Sequence, residues 1–489
     1  MIDETPGQTA YNGARDVTYV SGVFVGQGNS RLGIDAWLGG PGSTADRLVI
    51  GGLDANGDLL PVGTVATQGQ TAIVINDVSG SAGGYNPKGM LVVEVVNPDA
   101  VSYGKRGSQE ASFVISAESA GYDPRFGGVI DKGVIFYDLV TRGNDTYLVG
   151  VPDREAYELP RLVTGAQSIW YETSGGWLDR QADLRTYLDG GNGAAVGKGG
   201  QQAVTPGVWA KAVGSWGLRN STTTATVPGA AYSYDTGYAQ NTYGFIAGAD
   251  FGKTNPSASG KDAVMYGVMA GYVTSQLGFD ASPTSASYSG GTVGAYATYL
   301  NRNWFVDGLF KADILSMDYT APTLGGVAAY GQSARATSLG FTLDTGYRAK
   351  LGATGFFEPI ATLSYVSTRI NNVFLLAGTA ADFGSNDSLR AGLGARVGGP
   401  IHENAALRIE ANLNARLWYE FLGDNAVTIF NPGLPLTVAD DFNGAFGEVG
   451  GGFNVFAKAN GWNGFTTASV KFGDGYAAAN ARGGMRYQW

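Results

Sequence analysis

The chain has 489 residues, with 77 glycines, a single histidine, no cysteine and a net charge of −10. The lack of cysteine excludes disulfides and thiolate catalysis, and the lone histidine, His402, argues against a Ser-His-Asp triad and against histidine-rich metal sites. The negative charge argues against a nucleic-acid partner, because phosphate binding needs clustered lysines and arginines. We therefore expect a protein that is not an enzyme and that holds no metal or cofactor.

The start of the chain, residues 1–4, lacks the basic and apolar segments of a secretory signal peptide. We expect the natural protein to be longer at this end. No run of about 18 apolar residues occurs, so no transmembrane helix is predicted.

The first 154 residues are predicted to form a region of sheets. Short apolar, β-branched runs alternate there with glycine-rich turns, at residues 47–52, 71–75, 90–96, 112–115, 133–137 and 146–149. Such continuous apolar runs are typical of strands buried on both faces, as in stacked parallel sheets. We predict a parallel β-helix-like segment of about six turns, each of about 20 to 25 residues. An antiparallel β-sandwich is the alternative.

Residues 155–206 differ in character and predict a helix followed by a joint. Trp177, Leu178, Leu184 and Leu188 recur at helical spacing within 155–188 and can share one face. The Gly175-Gly176 pair predicts a break or kink in this helix. Glycines dominate residues 190–202, so we expect a flexible joint before the next region.

Residues 207–489 predict long strands of alternating polarity. From Leu407 to Phe421 the odd positions are apolar, and the even positions are mostly charged or polar. Fifteen residues of this pattern span about 50 Å, which is long for a strand of a globular domain. We predict twelve such strands, at residues 208–220, 236–253, 262–280, 286–303, 304–319, 335–352, 355–374, 387–400, 405–423, 443–459, 464–474 and 478–489.

The connections between these strands alternate between short and long. Residues 301–303, 352–355 and 400–404 predict tight turns, whereas residues 320–334 and 424–442 predict long loops. An even strand number, short turns at one end and long loops at the other are typical of bacterial outer-membrane barrels. Because backbone groups in lipid must pair internally, we predict a closed antiparallel transmembrane barrel with its apolar face toward the lipid. The fold class is therefore all-β, with one helical segment.

The last strand ends in a specific motif. Arg482, Gly484, Tyr487 and Trp489 follow the spacing polar-x-Gly-x-x-apolar-x-aromatic up to the chain terminus. This spacing resembles the β-signal of outer-membrane proteins, which the barrel assembly machinery reads. An ordinary closing strand with a terminal tryptophan is the alternative. The preceding eleven strands favour the signal.

The order of sheet region, helix and twelve-stranded barrel resembles the autotransporters of the type V secretion class. Residues 46–50, 89–95 and 146–149 resemble the autochaperone end of a passenger, and residues 166–188 resemble the α-helical linker. Gly207-Val208-Trp209-Ala210-Lys211 resembles the family's opening barrel strand. The resemblance divides the chain into a passenger segment at 1–154, a linker with its joint at 155–206 and a barrel at 207–489.

The resemblance also implies a function. The barrel would insert in the outer membrane as a monomer, the linker would thread its lumen, and the N-terminal region would be delivered to the bacterial cell surface and anchored there. Membrane lipid, the barrel assembly machinery and periplasmic chaperones are the implied partners, and a host or cell-surface ligand is left open. The lumen charges that are candidate contacts for the linker helix are Asp344, Arg348, Arg408, Glu410 and Arg416. A hydrated lining is the alternative for them.

The sequence departs from this family in one respect. Some members cut off their passenger at a paired asparagine within the linker, and no such pair occurs between 155 and 188; Asn192 is the nearest asparagine. We therefore expect a chain that is not cut by itself. Two other functions stay open, a surface adhesin whose solenoid is the binding module and a plain outer-membrane pore with a periplasmic domain.

Overall fold

The structure is a computed structural model. It describes residues 15–20, 22–51, 56, 58, 65–96, 108–109, 112–189, 206–254, 256–257, 262–322, 324, 331–375, 378–458 and 461–489, and within 175–189 it describes the backbone alone. The joint predicted at 190–202 lies outside these residues. No helix of the described part is both long and apolar enough to cross a membrane.

Twelve strands precede the α-helix of the described chain. They are β1 (Val17–Val20), β2 (Phe24–Gly26), β3 (Arg31–Ala36), β4 (Arg47–Ile50), β5 (Val65–Asp77), β6 (Asn86–Val95), β7 (Ser108–Gln109), β8 (Ser112–Ile115), β9 (Tyr122–Asp123), β10 (Val129–Asp131), β11 (Ile135–Arg142) and β12 (Asp145–Pro152). The helix that follows is α1 (Arg154–Asp189).

The first eight strands pair in parallel. β4 lies between β1 and β6, and β5 pairs along its length with β2, β3, β7 and β8. The apolar run of β4 explains this arrangement, because Leu48, Val49 and Ile50 are all buried, as a strand covered on both faces requires. Parallel pairing excludes the antiparallel sandwich for this part.

The last four strands of this region are antiparallel. β12 pairs with β6, and β11, β10 and β9 continue the sheet. The N-terminal region therefore consists of mixed sheets, in which parallel pairing is confined to the first eight strands. The predicted turn length of 20 to 25 residues is wrong, because Val17 pairs with Arg47 and Leu48 pairs with Val93, so one parallel turn takes 30 to 45 residues.

The predicted helix is present and continuous. α1 has 36 residues, and its backbone is helical through Gly175 and Gly176, where a break was expected. Glycine lowers helix propensity but does not prevent a helix whose surroundings fix it. The prediction of a kink there is wrong.

Nineteen further strands follow the helix in the described residues. They are β13 (Gly207–Arg219), β14 (Thr222–Val227), β15 (Ala230–Asp235), β16 (Tyr238–Thr254), β17 (Asp262–Phe279), β18 (Ser285–Asn301), β19 (Trp304–Thr320), β20 (Gly331–Tyr347), β21 (Ala349–Leu351), β22 (Gly355–Ile370), β23 (Val373–Phe374), β24 (Ala380–Asp382), β25 (Asn386–Glu403), β26 (Leu407–Glu420), β27 (Asp424–Phe430), β28 (Leu436–Asp441), β29 (Gly444–Ala457), β30 (Trp462–Gly473) and β31 (Tyr476–Gln488).

Twelve long strands close into an antiparallel barrel, as predicted. Their order is β13, β16, β17, β18, β19, β20 with its continuation β21, β22, β25, β26, β29, β30 and β31. The last strand pairs with the first from Gly207 opposite Gln488 to Arg219 opposite Tyr476, so the barrel has no open edge. Closure removes the unpaired edge of an open sheet, which lipid does not tolerate.

The two ends of the barrel differ in their connections. At one end, here called the short-turn end, residues 302–303, 352–354, 404–406 and 458–461 separate strands, and residues 255–261 form a somewhat longer connection. The third of these turns comes later than predicted, because β25 extends to Glu403. At the other end, here called the long-loop end, the connections contain three hairpins that the sequence did not predict. These are β14–β15, β23–β24 and β27–β28.

The alternation of polarity places apolar side chains outside and polar side chains inside. In β26, Leu413 is 67% exposed and Leu417 63%, whereas Glu410 is 2% exposed. Aromatic side chains ring the outside of the short-turn end, where Trp304 contacts Tyr347 with ring centroids 5.1 Å apart. Such aromatic belts mark the boundary between hydrocarbon and water.

One apolar core joins the three parts of the chain. It runs from the N-terminal sheets through α1 into the mouth of the barrel at the long-loop end. Its buried members include Ile34, Val92 and Leu148 of the sheets, Leu159, Leu162 and Ile169 of the helix, and Leu277, Met317 and Ile429 of the barrel and its hairpins.

Candidate functional site: the helix in the barrel lumen

The helix α1 begins on a buried carboxylate. Asp153 accepts a hydrogen bond from the backbone N–H of Arg154 at 2.7 Å, and both terminal nitrogens of Arg125 donate to it at 3.0 and 2.8 Å. A negative charge beside a helix N-terminus is favourable. Burial alone would lower the pKa of Arg125, but the hydrogen bonds and the charge of Asp153 outweigh it and raise that pKa above its usual value. This pair fixes the helix start to the β9–β12 sheet.

The barrel wall holds the backbone of α1 directly. Tyr288 donates to the carbonyl of Leu162 at 2.8 Å, and the amide of Gln240 donates to the carbonyl of Gly165 at 3.0 Å. Deeper in the lumen, Trp170 packs against Gly340, where an added Cβ would lie only 2.8 Å from the indole. The wall therefore receives the helix in one position and is shaped for its tryptophan.

The β27–β28 hairpin binds the polar side of the helix. Asn425 and Gln167 exchange two amide hydrogen bonds of 2.9 Å, and Asn425 also donates to Thr164 at 2.8 Å. Asp440 accepts from Thr164 at 2.7 Å and from Arg219 of the wall at 2.8 Å. Most of these buried polar atoms are satisfied in this way, and the other oxygen of Asp440, Oδ1, lies 3.7 Å from the guanidinium of Arg161.

The tip of the same hairpin reaches the N-terminal sheets. Asn431 accepts a hydrogen bond from the backbone N–H of Tyr85 at 2.9 Å, and the N–H of Leu434 donates to the Tyr85 carbonyl at 3.2 Å. The contact is close because Gly433 lies against Gly84, and a Cβ on Gly433 would lie 2.4 Å from the Tyr85 nitrogen.

The β14–β15 hairpin forms a second contact with the N-terminal sheets. Tyr232 donates to Asp138 at 2.6 Å, and its ring lies edge-on to Phe136 with centroids 5.0 Å apart. Tyr234 donates to the carbonyl of Pro152 at 3.0 Å. On the other side of the turn, Arg142 donates to the carbonyl of Pro228 at 2.6 Å. The two hairpins, β14–β15 and β27–β28, are together called the clasp below.

Ion pairs hold the helix deep in the lumen. Glu172 pairs with Lys471 and with Arg482, the latter at 3.1 Å, and all three side chains are buried. At the next residue of the helix, Thr173 accepts a hydrogen bond from Lys311, which also pairs with Asp313 at 2.9 Å. Tyr171 exchanges a hydrogen bond of 2.7 Å with Ser388. A buried charge needs such a partner, so these contacts fix the depth of the helix.

The five charges predicted to contact the helix all lie on the inner side of the wall or at its rim. Asp344 accepts from Thr362 at 2.7 Å, Arg348 pairs with Glu358 at 2.8 Å, and Arg408 pairs with Glu410. Arg416 lies over the ring of Trp418 at 5.8 Å. The described contacts of the upper helix, 154–174, go to other residues. The side chains of 175–189 lie outside the described residues, so the contact of the five with the lower helix stays a prediction.

The residues of the terminal motif lie on two different faces of the barrel wall. Arg482 points inward to Glu172, and Gly484 pairs with Phe465 in the neighbouring strand. Tyr487 belongs to the outer aromatic belt. Its ring centroid lies 4.9 Å from that of Trp462 and 6.2 Å from that of Trp489. Recognition of this motif by assembly machinery stays a prediction.

The sequence analysis missed the residues that hold the upper helix. Lys311 and Lys471 carried a readable signal, because each lies between two outward apolar residues and must therefore face the lumen. Glu172 is the one acid in the segment 166–174 and carried a similar signal. Asn425 and Asp440 lie in a segment predicted as a loop, where no periodicity marks them.

A polar cavity remains beside Tyr171. It has a volume of about 50 Å³, and its lining includes Arg390, Arg416, Glu448, Lys471 and Arg482. Among the described residues, no three His, Asp or Glu side chains are grouped as a metal site would need. The site is therefore described by its charges and hydrogen bonds.

Comparisons with known proteins agree with this architecture. The family model for the autotransporter beta-domain matches residues 208–469. A comparison with curated proteins finds no match.

Three solved structures are similar in fold. The β domain of the Bordetella autotransporter BrkA is 19% identical and is covered over 100% of its length by 58% of this chain, with a TM-score of 0.45. The transport unit of AIDA-I from Escherichia coli is 13% identical, with 97% of that chain and 63% of this one covered and a TM-score of 0.44. The translocator domain of NalP from Neisseria meningitidis is 15% identical, with 98% of that chain and 65% of this one covered and a TM-score of 0.43.

Proposed function

Because the chain belongs to the autotransporter β-domain family, whose model spans residues 208–469, we propose that its barrel displays its N-terminal sheets at the bacterial cell surface and keeps them attached there. The barrel is an outer-membrane translocator of the type V secretion class. That barrel family is not enzymatic as such. Our proposal concerns the position of the N-terminal sheets at the cell surface and their lasting attachment to the barrel.

The path of α1 carries the proposal. The helix leaves the N-terminal sheets at the long-loop end, where Asp153 precedes it, and it descends along the barrel wall to the depth of Glu172 and beyond. The next described strand, β13, starts at the short-turn end with Gly207. In bacterial barrels the long loops lie outside the cell and the short turns lie in the periplasm. This orientation supports a position of the N-terminal sheets outside the cell.

The clasp supports permanent attachment. It binds β11, β12 and Tyr85, the residue before β6, through hydrogen bonds and aromatic contacts, and Asp153 and Glu155 at the junction are buried. A protease needs an exposed, locally unfolded segment, and this junction offers none. We propose a chain that functions uncut, with a passenger segment at 1–154, a linker at 155–206 and a barrel at 207–489.

The same sheets suggest how export is made one-way. β11 and β12 form a hairpin of local contacts, and β12 then supplies an edge for β6. Local hairpins form within microseconds, so this part would fold first once it is outside. A few kcal/mol of folding free energy is enough to prevent the segment from sliding back. No nucleotide or ion gradient is then needed.

The proposed partners follow from the two faces of the barrel. Membrane lipid covers the apolar outer face, and the barrel assembly machinery with periplasmic chaperones would deliver the chain to the membrane through the motif at Arg482, Gly484, Tyr487 and Trp489. A single chain supplies all twelve strands and the lumen helix, which supports a monomer.

Protease treatment of intact cells tests the surface position. The chain is expressed behind a signal peptide with one epitope at each end, and cells are treated before and after lysis. We expect loss of the N-terminal epitope on intact cells, with a protected C-terminal fragment that contains the barrel. A periplasmic marker protein must stay uncut in the same sample.

The opposite pattern would contradict the proposal. If the N-terminal epitope survives on intact cells and is lost only after lysis, the sheets lie in the periplasm. The barrel would then be a pore with a periplasmic domain.

A further inference from the structure

The turn between β18 and β19 contains a backbone conformation that favours glycine. Arg302 has φ of 54°, and among the described residues only Phe126 shares a positive φ without being glycine. In the turn that follows β21, the first position is Gly352, with φ of 64°. A residue with a side chain is disfavoured in this left-handed region of backbone conformation. Such a residue is retained there when its side chain has a role at the site.

A groove opens beside this turn on the outer face of the barrel. It has a volume of about 510 Å³ and is lined by Tyr299, Asn301, Arg302, Trp304, Phe305 and Val306. Trp304 is 60% exposed, and Tyr299 and Val306 are also exposed. These side chains point away from the lumen, so the groove faces the membrane.

The position of the groove limits what can fill it. It lies at the short-turn end, within the aromatic ring that contains Trp304 and Tyr347. Aromatic belts lie at the level of lipid headgroups, so the apolar wall faces acyl chains and the turn faces the headgroup layer. A ligand there must carry an apolar chain and a polar head together.

The charge beside the groove limits which polar headgroup the ligand can carry. Within the described part of the chain, Arg302 has no ion pair, and its side chain is exposed. The nearby Tyr299 hydroxyl donates to Asp262 at 3.3 Å and receives a bond from Asn301 at 3.4 Å, so the polar groups beside Arg302 are engaged with each other. The guanidinium remains available, and its planar donors match the oxygens of a phosphate.

We propose that this groove is a binding site for an anionic phospholipid of the membrane leaflet at the short-turn end. Arg302 binds the phosphodiester, and Tyr299, Trp304 and Val306 line the path of an acyl chain. The backbone conformation at Arg302 holds the guanidinium at the rim of the groove. This assignment does not depend on the position of the N-terminal sheets.

Two substitutions at one position separate lipid binding from turn strain. Arg302→Gly removes the charge and relieves the backbone, whereas Arg302→Gln removes the charge and keeps the strain. We expect both variants to bind phosphatidylglycerol about tenfold more weakly, because each loses a charge-assisted hydrogen bond to the lipid phosphate. Only Arg302→Gly should also raise the thermal stability of the barrel.

The binding is measured with the purified full chain in detergent, titrated with phosphatidylglycerol and followed by native mass spectrometry. The matched control is Arg369→Gln, which removes an exposed arginine near the long-loop end and should leave binding unchanged. Phosphatidylcholine, which has no net charge, should bind the wild-type chain more weakly.

Three results would contradict the assignment of this groove as a lipid-binding site. Wild-type affinity in Arg302→Gly would show that the arginine does not bind the lipid. An equal loss in Arg369→Gln would show that only overall charge matters. Displacement of the lipid by inorganic phosphate alone would assign the groove to a soluble anion.

Discussion

At the residue scale, the charge of Glu172 is the contact that most clearly fixes α1 in the lumen. Two cations of the wall, Lys471 and Arg482, share this one carboxylate. Arg482 also belongs to the terminal motif, so the polar position of that motif contacts the helix in the finished barrel. Removing one member of a buried ion pair leaves its partners without a counter-charge.

We predict that Glu172→Gln lowers the free energy of unfolding by about 3 to 5 kcal/mol, the usual cost of breaking a buried pair. The measurement is the temperature or denaturant concentration at which the folded barrel band disappears on gels. The matched control is Glu403→Gln, whose pair with Lys458 at 2.7 Å is partly exposed and is worth about 1 kcal/mol or less. Equal losses in the two variants would mean that burial adds nothing to the Glu172 pairs.

A second prediction concerns Asp131 in the N-terminal sheets. The pKa of this carboxyl is raised from 3.8 to about 6, mainly by burial and in part by the charges of Asp153 and Asp123, against the opposing hydrogen bond from Gly133 and the charge of Arg125. The folded state therefore binds a proton more tightly than the unfolded state. The ionised carboxylate destabilises these sheets above about pH 6, and this cost disappears as the pH falls through 6 toward 4.

Asp131→Asn keeps the acceptor for Gly133 and removes the charge. We predict that it stabilises the N-terminal sheets at pH 7.5 by up to about 3 kcal/mol and has little effect at pH 4. Urea unfolding followed by brief proteolysis of these sheets in the full chain measures both values. A stabilisation that does not change with pH would contradict the assigned titration.

At the element scale, the strands in lipid were predictable and the hairpins above it were not. A strand such as β26 must alternate in polarity along its whole length, because one face meets lipid and the other the lumen. The hairpins β14–β15 and β27–β28 meet the sheets, the helix and water in turn, so no single period marks them. The parallel turns were predicted too short for a related reason, since the connections between their strands vary in length.

The contacts of the helix escaped prediction for a different physical reason. The alternation tells which residues face the lumen, and it correctly placed Asp344 and Glu410 there. It does not tell how far α1 descends or which of its faces meets which strand. Lys311 and Lys471 contact the upper helix because of that depth, which depends on the clasp and on the fit of Trp170 beside Gly340.

The terminal strand gives a prediction at this scale. Trp489 is 61% exposed at the outer surface, so its removal should cost little folding stability. If the motif is read during assembly, deletion of Trp489 should sharply lower the amount of folded barrel in the outer membrane. The comparison is with Tyr272→Ala, which removes another outward aromatic, 59% exposed. Equal folded amounts in both variants would mean that the terminal tryptophan is not a signal.

At the scale of the whole molecule, the shared apolar core makes the sheets, the helix and the barrel mouth one unit. Leu148, Leu159 and Leu277 come from the three parts and are buried in the same cluster. The clasp adds polar contacts around it. A translocator that had released its passenger would have no use for such a joint, so this continuity supports lasting attachment.

With α1 inside its lumen, the barrel should conduct ions poorly. Single-channel conductance in planar bilayers tests it, with the wild-type chain compared with a chain lacking residues 155–190; both must show the gel behaviour of a folded barrel. We predict a low conductance for the wild-type chain and a several-fold higher one for the deletion, because the helix fills the path for ions. Equal conductance in the two proteins would contradict the account.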